Sequence, residues 1–221
     1  MKKKKMFFYI LMFLPLLINL LALPFLPEKI PAHYDFNNEV TRWGSKYESL
    51  LYPIATIFMG IFLLAMAKYV KKTEENGKNN ENVLIITGIV LLMYFNGMNL
   101  FSLYTSFHKI ENLSSVDINM YQLMFGILGF GMLIMGNVMP KLRMNSLIGL
   151  RTPWSLKDET TWKKSQRFGG ISFIISGIII ILISIFTTDF TCLIWCSVTL
   201  GVTTVIAVIY TYCISGKLPT T

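Results

Sequence analysis

Six apolar runs free of acidic and basic side chains, over residues 6–26, 50–67, 83–106, 120–139, 170–187 and 190–214, alternate along this chain with short polar segments. Each is of the length needed to cross about 30 Å of hydrocarbon as a helix rising about 1.5 Å per residue. None alternates apolar with polar positions as a barrel strand does, and a chain in lipid must satisfy its backbone polar groups internally. The pattern predicts an all-α membrane protein with six transmembrane helices. The polar segment 27–49 departs from a plain connector. Pro27 and Pro31 forbid a regular helix, and Tyr34, Phe36, Val40 and Trp43 surround Asn37-Asn38, a pair that tolerates the positive φ of a tight turn. A small hairpin-like loop after the first span is expected, with Trp43 and Tyr47 at headgroup level where the chain re-enters the bilayer.

Composition agrees with the pattern, since 53% of the residues are hydrophobic and only 14% charged. The charges also set an orientation. Threading six spans puts Lys2 to Lys5, Lys68, Lys71, Lys72, Lys78, Lys141, Arg143, Arg151, Lys157, Lys163, Lys164, Arg167 and Lys217 on one side of the membrane. Lys29, Arg42, Lys46 and Lys109 fall on the other, a division of the 20 basic residues into 16 and 4. Basic residues in short loops stay inside, so both termini are expected in the cytoplasm and the hairpin-like loop is expected to be extracytoplasmic. The net charge of +8 then reads as topology and contact with the anionic lipid bilayer, with no direct nucleic-acid partner. The first run has the basic start of a secretory signal. It ends Leu23-Pro24-Phe25-Leu26-Pro27 with no small-x-small cleavage pattern, so it reads as an uncleaved first span of a multi-pass cell-membrane protein.

Candidate chemistry is sparse. There is no GxxxxGK[ST], HExxH or GxSxG pattern, and no span carries an ionisable group near its middle, where a proton-coupled pump keeps one. No catalytic residue, cofactor or metal is predicted, and an enzyme is not expected. Cys192, Cys196 and Cys213 lie in the last span without a CxxC motif and read as buried free thiols. His33 and Asp35 could share a strand face, but two ligands do not make a metal site. The amides Asn19, Asn96, Asn99 and Gln122 read as interhelical hydrogen-bonding groups, and Pro15 loosens the first span.

In the loop from Pro140 to Gly170, residues 149–154 read as irregular, and a helix is expected from Ser155, with Asp158 completing an S-x-x-D capping pattern. Glu159 and Lys163 are spaced i,i+4 in the favourable order. Trp154 and Trp162 are placed in the interface, with Lys163, Lys164 and Arg167 reaching lipid phosphates. An interfacial anchor and hinge is one reading of this loop, and a docking surface is the other.

Leu26-Pro27, Ile30-Pro31-Ala32-His33 and Gly44-Ser45-Lys46 resemble the pattern of the DUF1648 membrane module, with Asn37-Asn38-Glu39 where that module has a turn glycine. Asn145, the run Ile148-Gly149-Leu150-Arg151-Thr152-Pro153-Trp154, then Asp158-Glu159, Trp162-Lys163-Lys164 and Arg167-Phe168 resemble the signature of the SdpI family. The resemblance implies three regions: a DUF1648-like module over 1–70, central spans over 71–139, and the signature loop with the last two spans over 140–221. It implies a Gram-positive membrane immunity protein whose partners are a secreted peptide toxin and a small helix-turn-helix repressor held at the membrane. The residues it marks are Pro27, Pro31, His33, Gly44 and Lys46 on the outer face, and Asn145, Gly149, Arg151, Thr152, Pro153, Trp154, Trp162 and Arg167 at the cytoplasmic docking surface. A general envelope-stress sensor or transporter subunit without a toxin ligand is the alternative.

Overall fold

The computed structural model describes residues 1–35, 37–117 and 120–216; Phe36 of the expected turn and Lys217 of the basic partition lie outside them. Among the described residues, six helices are long and apolar enough to cross a membrane. They are α1 (Lys2–Ala22), α2 (Leu51–Thr73), α3 (Gly77–His108), α4 (Met120–Val138), α5 (Glu159–Phe186) and α6 (Asp189–Ser215). Between α1 and α2 stands the expected hairpin, β1 (Lys29–Tyr34) antiparallel to β2 (Val40–Ser45).

α3 and α5 begin well ahead of their apolar runs. α3 begins at Gly77 and spans about 48 Å at 1.5 Å per residue, more than a bilayer core requires. α5 begins at Glu159, not Ser155, and is continuous into the membrane. Asp158 caps it by accepting from Thr161 N–H at 2.8 Å. Ser155 is fully buried and cannot cap, because its hydroxyl is held by the backbone of the preceding turn.

α1, α2 and α3 pack against one another, α3 also packs on α4, and α4, α5 and α6 form the second group. Pro15 offers no N–H to the Leu11 carbonyl one turn before it. Asn96 of α3 supplies the missing donor, its Nδ2 lying 2.9 Å from Leu11 O. One turn on, Asn19 Nδ2 donates to Asn99 Oδ1 at 2.8 Å, so α1 and α3 are joined by amides in the membrane as expected. Gln122 of α4 donates to Thr187 O at the end of α5.

The basic segments gather at one end of the bundle. Lys5 of α1 and Lys71 of α2 both approach Glu81 of α3, and Asn80 of α3 accepts from Arg143 N–H. The α2–α3 linker reaches the same loop, Glu74 accepting from Ser146 N–H and hydroxyl. At this basic end, too, Lys157 donates to Ser215 O at the close of α6. The hairpin, the α3–α4 connection and the α5–α6 turn occupy the opposite end, called the hairpin end below.

Candidate functional site

The two sets of marked residues form separate constructions at the two ends. At the hairpin end, Asp35 organises the turn through its carboxylate, which accepts from Asn37 N–H at 2.9 Å and Glu39 N–H at 3.0 Å. Asn38 takes the positive φ of 66°. The hairpin is anchored and not free-standing. Val40 N–H donates to Glu111 O, Leu113 N–H donates to Asn38 O, and Tyr34 hydroxyl donates to Ile110 O. Burial in that contact raises the Tyr34 pKa above its ordinary value. The Asn38 side chain is buried and donates to Ser114 Oγ at 3.0 Å and to Asp189 Oδ1 at 2.6 Å, the latter at the first residue of α6.

The marked residues here are mostly framework. Pro31 sits in β1 opposite Trp43, where the ladder is irregular and tolerates a missing donor. His33 Nδ1 lies 2.7 Å from Thr41 Oγ1 across the strands. Ser45 and Glu48 form a reciprocal capping box leading into α2. Gly44 leaves room for that box: a Cβ there would lie 2.4 Å from the Glu48 carboxylate. Lys46 pairs with Glu28, the neighbour of Pro27, at 2.8 Å and closes the base of the hairpin.

At the basic end the loop from 139 to 158 folds back onto α5 and α6. Asn145 is buried and uses both ends of its amide, accepting from Leu147 and Ile148 N–H at 2.8 Å and donating to the Arg143 and Ile148 carbonyls. Gly149 has φ +107°, and a Cβ on it would lie 2.5 Å from Gln166 Oε1. Gln166 is fully buried and clamps Leu150, accepting from its N–H at 2.9 Å and donating to its carbonyl at 3.0 Å. Thr152 and Ser155 exchange hydroxyl and backbone hydrogen bonds, and Thr152 Oγ1 donates to Thr211 Oγ1 of α6 at 2.9 Å. The Trp154 ring stands edge-on to Tyr212 at 5.3 Å.

Trp162 corrects the interfacial expectation. It is 1% exposed, and its indole N–H donates to Leu142 O at 3.0 Å, so it pins the loop to α5 from inside. Lys163, Lys164 and Arg167 do face outward, with Lys163 paired to Glu159 at 3.1 Å. Of the marked residues, Arg151, Pro153 and Arg167 are exposed at the loop surface, while Asn145, Thr152 and Trp162 shape it from beneath. Asp158 is held below the ordinary carboxylate range by the Thr161 N–H and hydroxyl it accepts from. Cys192 and Cys196 are buried beside Phe125 and Ile180, but Cys213 is exposed on α6, contrary to the expectation of three buried thiols.

Sequence reasoning missed Gln166, Glu81, Glu74 and Thr211. Gln166 had a signal: it follows Trp162 by one turn, on the same helix face. Glu81 had one too, as the only acidic residue within two positions of an apolar run on that flank.

The six spanning helices and their polar ends define a multi-pass helical protein of the cell membrane. The SdpI/YfhL protein family model matches residues 141–213, and the model of a domain of unknown function, DUF1648, matches residues 10–57. The C-terminal third of the chain is therefore similar to the SdpI/YfhL family. The immunity protein SdpI of Bacillus subtilis (strain 168) is 29% identical over 195 residues, which cover 87% of this chain and 86% of that protein. No solved structure matches the chain.

Proposed function

We propose that this protein is a membrane immunity protein: it protects the cell against a secreted membrane-active peptide toxin and relays the toxin's presence across the membrane. The observation that carries the first half is the likeness to an immunity protein across nearly the whole of both chains. In this reading the hairpin end faces outward and the basic end inward, in keeping with the 16-to-4 division of Lys and Arg. Neither end is given a catalytic task.

The relay is assigned to α6. Its first residue, Asp189, accepts from Asn38 at the hairpin tip. Its last turns receive Thr152, Trp154 and Lys157 of the loop. Among the helices α6 packs chiefly on α4 and α5, and its apolar stretch is the least buried of the six, 17%. A toxin that binds the hairpin end with different affinity in two positions of α6 shifts the population between them, and the exposure of Arg151 and Arg167 follows. The inner partner is a small helix-turn-helix repressor docking on that basic surface.

Three readouts in one strain test this reading: membrane abundance, survival in added peptide toxin, and membrane-bound repressor. Arg151→Ala with Arg167→Ala should leave abundance and survival intact and lower repressor recruitment. Asn38→Ala should leave survival intact and abolish the toxin dependence of recruitment. Loss of all three readouts in proportion, in either variant, would reduce both surfaces to scaffolding.

A further inference from the structure

A cavity of about 220 Å³ lies at the basic end between α1, α2 and α3, lined by Lys5, Tyr9, Leu64, Lys68, Lys71 and Glu81, with Ala67 and Ile85 completing its wall. Glu81 is 2% exposed. Lys5 Nζ lies 2.7 Å from its Oε1 and Lys71 Nζ 3.1 Å from its Oε2, but Oε2 receives no hydrogen bond of good geometry. A buried carboxylate oxygen in that state calls for a further donor. Lys68, by contrast, makes no ion pair among the described residues, and three lysines against one carboxylate leave the lining with two excess positive charges.

The wall is graded. On each of the three helices a charged residue is followed one turn deeper by a partly apolar or apolar one: Lys5 by Tyr9, Lys68 by Leu64, Glu81 by Ile85. The cavity therefore sits where polar surface gives way to hydrocarbon. Its complement is an anionic group beside a hydrogen-bond donor, carried on apolar chains. A choline headgroup has no donor, and an ethanolamine headgroup brings a donor but cancels its own phosphate charge.

We propose that this cavity is a headgroup site for an anionic glycerophospholipid of the phosphatidylglycerol type, the phosphodiester lying among Lys5, Lys68 and Lys71 and a glycerol hydroxyl donating to Glu81 Oε2. Lys68 is the selective residue, because it alone of the three lysines is not engaged by Glu81. A free glycerol phosphate shares the polar chemistry but lacks the chains that the Leu64, Ala67 and Ile85 wall accommodates.

Native mass spectrometry of the full chain in detergent, incubated with equimolar phosphatidylglycerol, phosphatidylethanolamine and phosphatidylcholine, tests the site. The wild type should retain phosphatidylglycerol selectively. Lys68→Ser should lower that retention about fivefold, the worth of one partly exposed charged contact. Lys68→Arg should preserve it, and Lys72→Ser, on the same helix but outside the cavity, should leave it unchanged. Equal retention of the three lipids, or equal loss in the Lys68 and Lys72 variants, would reduce the cavity to general interfacial charge. Displacement of the lipid by excess soluble glycerol phosphate would overturn the lipid assignment in favour of a free phosphate.

Discussion

The α1–α3 group and the α4–α5 pair meet the same requirement, helix contact within lipid, by opposite means. In the first group polar side chains and filled notches hold the helices. Asn96 and Asn99 bond α1, while Phe8 and Met12 of α1 press into Gly88 of α3 and Gly60 of α2. Between α4 and α5 the backbones themselves touch. A Cβ at Gly136 would lie 2.5 Å from Gly170 O, one at Gly170 2.6 Å from Gly136 O, and the same reciprocity joins Gly129 and Gly177. Lipid offers no hydrophobic drive to bring helices together, so close packing or hydrogen bonding must do it. A helix carrying proline has a carbonyl to satisfy and recruits an amide; helices with paired glycines have none and dock by shape.

The largest effect should come from the backbone contact. Gly136→Val forces the α5 carbonyl away along a whole face and should destabilise the protein by about 3 kcal/mol, as overpacked core sites do. A thermal melt in detergent measures it, and a change under 1 kcal/mol would mean that α4 and α5 are held elsewhere.

A smaller effect belongs to the amides. Asn96→Leu leaves Leu11 O without a donor and should cost about 1 kcal/mol. Pro15→Ala restores the N–H that Leu11 O lacks, so Asn96→Leu should cost distinctly less in the Pro15→Ala background. Equal costs in both backgrounds would detach the amide from the proline.

Smaller again is a pH effect that separates the two groups at their helix starts. α5 is capped by Asp158, whereas Asn76 at the N-cap of α3 makes no side-chain cap and the start of that helix relies on Glu74 and Asn80 against the loop. The Thr161 donors lower the Asp158 pKa, so its capping contribution is complete above the unfolded value of about 3.9 and is lost as pH falls through the lower folded value. The Thr161 amide proton should shift with that midpoint in an NMR titration and stop doing so in Asp158→Asn. At the bottom of the scale, Gly201→Ala on α6 meets nothing within 4 Å and should change stability by less than about 0.5 kcal/mol. A large loss there would show that α6 is more tightly held than the relay requires.

The spans were legible because length and the absence of charge are local properties, and the hairpin because Pro27, Pro31 and Asn37-Asn38 carry their own backbone preferences. Helix starts were less so. Ser155 and Asp158 both look like caps, and only the fold, by giving the Ser155 hydroxyl to Leu150 and Thr152, decides between them. A tryptophan beside lysines reads as interfacial until Leu142 O, 20 residues away in sequence, is seen to accept its proton. Gln166, Glu81 and Thr211 stayed silent for the same reason: the value of a buried polar group lies in a partner that sequence spacing does not name. Asn145 was marked by resemblance, but its work of closing a turn with all four amide hydrogen bonds came from geometry.

The claim on which the account rests is immunity itself. The direct measurement is survival of a toxin-sensitive host lacking an SdpI-like protein, expressing this chain and challenged with a purified secreted membrane-active peptide toxin. Survival should rise with the amount of protein in the membrane and be unaffected by Arg151→Ala. Unchanged killing by that peptide, with the protein verified in the membrane, would contradict the account.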